Sequence, residues 1–153
     1  MFNVECLNTH LDDVDVLLTE HKPHICILTG VGTASRKLPS FPEYTGQSKE
    51  ATNSFGGAAI LLYKSILKCK IKEKELNFLL IELEMISESI LLGTIYVPPG
   101  TLPPFQLLNT CKDTPFYIFG DFNAKHTTWG CNNSNTSGTH IFDWLESTGN
   151  FLD

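Results

Sequence analysis

Leu11, Val14, Leu17 and Leu18 recur at three- and four-residue intervals, with Asp12, Asp13, Asp15 and Glu20 between them. That spacing predicts an amphipathic helix from about Asn8 to His21, its acidic first turns favoured by the helix dipole and its end set by Pro23. "HICILTGV" then reads as a buried strand, and Gly30 and Gly32 open a loop. Residues 32–53 are rich in Gly, Pro, Ser and Thr without an apolar period, so a long surface excursion is expected there. Four more strands follow: "GGAAILLYKSI", "LKCKIKEK", "NFLLIELEM" and "SILLGTIYVPP". In the second, Leu67, Cys69 and Ile71 alternate with Lys68, Lys70 and Lys72, which leaves one face wet; the third and fourth read as strands covered on both faces. "FQLLNTC" suits a short helix, "FYIFG" a further core strand, "CNNSNTSGT" a polar loop and "HIFDWLESTGNF" a final helix.

At 153 residues and 42% hydrophobic content, the chain suits one domain with a real core. No apolar run is long enough to cross a membrane, and "MFNVECLNTH" has no signal-peptide pattern. Cys6, Cys26, Cys69, Cys111 and Cys131 are odd in number and form no CxxC pair, which favours reduced thiols in an intracellular compartment. A net charge of −6 argues against tight, phosphate-driven nucleic-acid binding, although an enzyme touching a few phosphates is compatible with it. The five lysines from Lys64 to Lys74 are interrupted by Glu73 and read as a solvated strand face. After the last helix the chain stops at Phe151, Leu152 and Asp153 with no polar tail, so a piece of a larger domain is expected.

The chemistry concentrates in "FYIFGDFNAKHTTWG", where an apolar strand ends in Asp121 and Asn123. The strand period of two would set both side chains on one face and turn Phe122 into the core. A carboxylate beside an amide suits a hydrated Mg²⁺ with a phosphate ligand, or a water nucleophile that needs orienting. An Asx turn that merely ends the strand is the simpler alternative.

The longer segment "GDFNAKHTTWG" resembles the "GDFNA-x-H-x-x-WG" stretch of non-LTR retrotransposon endonuclease domains, within the endonuclease/exonuclease/phosphatase family of DNase I-like and apurinic-endonuclease-like enzymes. "FNVECLNTHLDDVDVLLTEHKPHICILT", "FGGAAILLYKSI" and "GTIYVPPG" are similar to other family segments, in the family's order. The resemblance implies an α+β fold, a two-sheet β-sandwich flanked by helices in four layers (αββα), here one partial domain over 1–153 with its C-terminal third missing. It also implies metal-dependent phosphodiester hydrolysis on DNA with Mg²⁺ or Mn²⁺. By position, Asp121 would bind the metal and orient or deprotonate water, and Asn123 would hold the scissile phosphate. Tyr96 would stand near the phosphate, Asn3 would close the first strand, and His126 and Trp129 would contact substrate. DNA is the implied partner, a reverse-transcriptase region is expected downstream, and a nuclear location would follow only from action on chromosomal DNA.

The sequence departs from this pattern where the family keeps a metal-binding glutamate after "ICILT": here the residue is Gly30. The family's closing "SDH" segment also has no counterpart. The expectation is therefore an endonuclease domain by ancestry, inactive as this chain; the alternative is a non-catalytic remnant or binding module of a degenerate retroelement.

Overall fold

The computed structural model describes residues 1–51, 56–64, 68–84, 88–111 and 113–151. Leu67, Met85, Leu152, Asp153 and the end of the variable loop at Asn53 lie outside the described residues. The elements, in chain order, are β1 (Phe2–Asn3), α1 (Leu11–His21), β2 (Ile25–Thr29), a 3₁₀ turn (Gly32–Arg36), β3 (Tyr44–Lys49), β4 (Ala58–Tyr63), β5 (Lys68–Glu75), β6 (Phe78–Glu84), β7 (Ser89–Tyr96), α2 (Phe105–Asn109), β8 (Phe116–Asp121), a second 3₁₀ turn (Thr127–Trp129) and α3 (Thr136–Thr148).

Two four-stranded sheets result. One runs β1-β2-β4-β3 and the other β5-β6-β7-β8, with β1–β2 and β7–β8 the parallel pairs. Side-chain alternation then dictates three apolar layers. Cys26, Leu28, Ala59 and Leu61 leave the first sheet on its outer face to meet Val14 and Leu18 of α1. Ile27, Ile60 and Leu62 point the other way and pack against Leu79, Ile81, Leu83 and Leu92 of the second sheet. Phe78, Leu80, Leu91 and Ile95 leave the second sheet's far face toward Leu108, Phe122 and Trp144. The order of layers is helix, sheet, sheet, helices: the expected αββα sandwich. Each large apolar side chain in these layers contributes on the order of 1.5–3 kcal/mol relative to exposure.

Several boundaries differ from the sequence reading. α1 begins at Leu11 rather than Asn8, because Thr9 and His10 donate to the carbonyls of Cys6 and Leu7 in a turn. That turn follows two left-handed residues, Glu5 (φ 46°) and Cys6 (φ 105°). The region 32–53 is not a plain excursion: it holds a 3₁₀ turn and the edge strand β3. Polar "TGQSK" hides that strand, which needs only Tyr44 and the preceding Phe41 to anchor it in the core. In β5 the alternation breaks at a register shift between Ile71 and Glu73, leaving Ile71 46% exposed instead of inward. α3 starts at Thr136, four residues before His140, because Asn135 caps it.

The lysines of β5 pair across the strand boundary, Lys70 Nζ with Glu84 (2.6 Å) and Lys72 Nζ with Glu82 (3.5 Å). The hydrogen bond and charge of Lys70 hold the Glu84 carboxyl below its ordinary range, and Glu84 raises Lys70 in return. A depressed carboxylate stabilises the fold above its unfolded value of 4.5 and loses that contribution as pH falls through the folded value. Lys70→Gln is therefore expected to melt slightly below the parent at pH 7 and together with it near pH 3. Paired thermal melts across that range check it, and a gap that widens on acidification would refute the assignment.

Candidate active site

β7 and β8 run parallel, with Tyr96 level with Asp121 at their shared C-terminal end. The ladder continues one step further, since Val97 N–H donates to the Asp121 carbonyl at 2.8 Å. There β8 stops. The Asp121 carboxylate accepts the Asn123 N–H at 3.0 Å, an Asx turn, and Asn123 takes a left-handed φ of 46°, which asparagine tolerates better than most residues. The Asn123 side chain then donates from Nδ2 to the Val97 carbonyl at 2.9 Å. Asp121 and Asn123 are thus neighbours, brought together by a turn and not by strand alternation. Phe122 packs into the outer core, as its place between them requires.

In the first sheet, backbone bonds tie the segment after β2 to residues 56 and 57. Asn3 lies level with Thr29, and its Oδ1 accepts the Glu5 N–H at 3.3 Å. Gly32 N–H donates to the Gly56 carbonyl at 2.8 Å and Val31 N–H to that of Gly57 at 3.3 Å. A Cβ on Gly56 would stand 2.6 Å from Cδ1 of Tyr96, so the buried Tyr96 ring packs against Gly56, whose carbonyl accepts the Gly32 N–H.

A side chain at Gly30 would be strained and would displace Asn3. The φ of Gly30 is +68°, and a Cβ would come 2.5 Å from Asn3 Oδ1 and 3.1 Å from the Glu5 nitrogen. Among the described residues no group of three or more His, Cys, Asp or Glu side chains could hold a metal ion. Asp121 is one carboxylate with an oxygen already engaged by Asn123. Magnesium is usually held by one or two carboxylates with several waters, and Asp121 is the one carboxylate of this turn that could hold such an ion.

His126 and Trp129 sit apart from the turn. The His126 ring stacks on Phe142 (centroids 4.4 Å, planes 12° apart) and tilts against Trp129 (5.3 Å). Its Nδ1 accepts the Thr128 N–H at 3.4 Å. Trp129, Phe122 and Ala124 help line an apolar cavity of about 490 Å³ beside β8 and α3; neither Asp121 nor Asn123 lines it. One residue escaped the sequence reading: Asn135, whose side chain binds residues 123 and 125 as well as α3. An Asn three positions before Gly138, at the head of an apolar run, was the available signal, a helix-cap pattern.

Two facing sheets between helical layers, with a Gly-Asp-Phe-Asn strand end beside a tyrosine of the neighbouring strand, give the chain a DNase I-like fold. The chain is similar to the retrotransposon-endonuclease branch of the endonuclease/exonuclease/phosphatase family. Residues 90–152 match the family described as endonuclease-reverse transcriptase. The chain is 28% identical over 147 residues to the probable RNA-directed DNA polymerase from transposon X-element of Drosophila melanogaster, covering 90% of this chain and 16% of that protein. Its fold is similar to the endonuclease domain of TRAS1, a telomere-specific non-LTR retrotransposon (TM-score 0.73, 17% identity, 99% of this chain and 74% of that one). It is similar also to an AP endonuclease from Archaeoglobus fulgidus (TM-score 0.57, 17% identity, 95% of this chain and 68% of that one).

Proposed function

We propose that this domain, descended from a phosphodiester-cleaving DNA endonuclease, faces DNA with the β7–β8 end of its sandwich and does not itself hydrolyse the backbone. In this reading Asp121 and Asn123 retain the ancestral positions for water and phosphate, Tyr96 and Asn3 flank them, and His126 and Trp129 stiffen the neighbouring loop toward the nucleic acid. The observation that carries the inactivity is Gly30: the place of a metal carboxylate is filled by Asn3 Oδ1 and the Glu5 backbone. Without that ligand neither Mg²⁺ nor Mn²⁺ is held firmly enough to polarise a phosphate. A net charge of −6 limits counterion release, so DNA contact rests on a few amide and hydroxyl groups and depends only weakly on salt. The printed name of the X-element relative supports placing the domain beside a reverse-transcriptase region of the same element.

Nicking of supercoiled plasmid by the 153-residue chain in Mg²⁺ or Mn²⁺ is expected to match that of Asp121→Ala. Metal-dependent nicking by the parent that disappears in Asp121→Ala would overturn the reading.

A further inference from the structure

We infer that Asn135 is a positioning residue for the β8 site, holding Asn123 in its left-handed conformation while it caps α3; the inference rests on the reading of Asp121 and Asn123 as the DNA-facing pair. Asn123 is held from three directions. Its N–H goes to Asp121 Oδ1 and its side-chain amide to the Val97 carbonyl, and its own carbonyl accepts from Asn135 Nδ2 at 2.9 Å. The other side of the Asn135 amide works elsewhere: Oδ1 accepts the Lys125 N–H at 3.0 Å and the Gly138 N–H at 2.8 Å. The Asn135 backbone N–H returns to the Lys125 carbonyl at 2.9 Å. Two N–H donors on one end of the amide and a carbonyl on the other fix which atom is oxygen. Left-handed backbone at a non-glycine residue persists where its surroundings over-determine it, and Asn135 supplies one of the three restraints from twelve residues away.

The two tasks use different atoms, so they separate chemically. Asp at this position keeps an oxygen for Gly138 and Lys125, ranks with Asn as a helix cap, and suits the helix dipole. It cannot donate to the Asn123 carbonyl and sets an oxygen against it instead. Ser keeps a cap oxygen on a shorter side chain and has no second, amide end to donate to the Asn123 carbonyl while it caps.

The test is amide hydrogen exchange by NMR on the 153-residue chain, comparing parent, Asn135→Asp and Asn135→Ser. Both variants are expected to speed exchange of the Asn123 amide roughly tenfold, the scale of one lost net hydrogen bond. Exchange at Gly138 and Ile141 should stay near the parent rate. Unchanged Asn123 exchange in both variants, or equal loosening of α3 and Asn123, overturns the inference. Fluorescence anisotropy with a labelled duplex oligonucleotide gives the second arm. A parent that does not bind duplex removes the DNA reading and leaves the positioning role to be decided by exchange alone. Weaker duplex binding by Asn135→Asp with α3 intact supports both.

Discussion

Gly138→Ala is expected to lower Tm by roughly 6–12 °C, on the scale of 2–4 °C per kcal/mol for a chain of this size. The direction runs against propensity. In an ordinary helix interior, alanine gains about 0.8–1 kcal/mol over glycine. Here a Cβ would lie within 1.9 Å of the Lys125 carbonyl oxygen and 2.4 Å of its carbon, and both are backbone atoms that no rotamer change can remove. α3 would have to withdraw, which strains or breaks the Asn135 bonds to residues 123 and 125. Overpacking costs about 1–3 kcal/mol and the lost hydrogen bonds about 1 kcal/mol each, so a net loss of roughly 3 kcal/mol remains after the propensity gain. Calorimetry of the purified variant decides it: a Tm at or above the parent's would show that α3 is not held so close.

Restoring the family's glutamate is expected to fail. Gly30→Glu should cost about 2 kcal/mol and leave plasmid nicking at the Asp121→Ala level, because the left-handed backbone alone costs about 1–2 kcal/mol for a residue with a Cβ. The new Cβ would also enter the space of Asn3 Oδ1 and displace its bond from the Glu5 N–H. A carboxylate introduced there arrives with Asn3 moved, so one site residue is recovered as another is disturbed. Melts and nicking assays on the same preparation test both halves. Metal-dependent nicking by Gly30→Glu at undiminished stability would contradict the geometry.

The layers were legible because core strands announce themselves. "AAILLY", "FLLIELE" and "SILLGTIY" had to be covered on both faces, and they are. β3 was not legible, since an edge strand can be written in "TGQSK" once Phe41 and Tyr44 anchor one end. The shift at Ile71–Glu73 was hidden for a related reason: an outer strand tolerates a bulge that alternation cannot foresee. In the candidate site, "GDFN" marked Asp121 and Asn123, and "GTIYVPPG" marked Tyr96, which lies level with Asp121. The turn at Asn123 and its tether to Asn135 depend on contacts between segments far apart in sequence, which local pattern does not encode. Gly30 was visible as a missing carboxylate, while the occupation of its space by Asn3 required coordinates.

The candidate site residues are drawn from both sheets, Asn3 and Gly30 at the end of one and Asp121 with Tyr96 at the end of the other. The spacing of the two sheets is set by the filling between them, Ile27, Ile60 and Leu62 against Leu79, Ile81 and Leu92. Close-packed interiors transmit displacement instead of absorbing it. The relative placing of the two strand ends is therefore governed from the middle of the sandwich, by residues that touch neither of them.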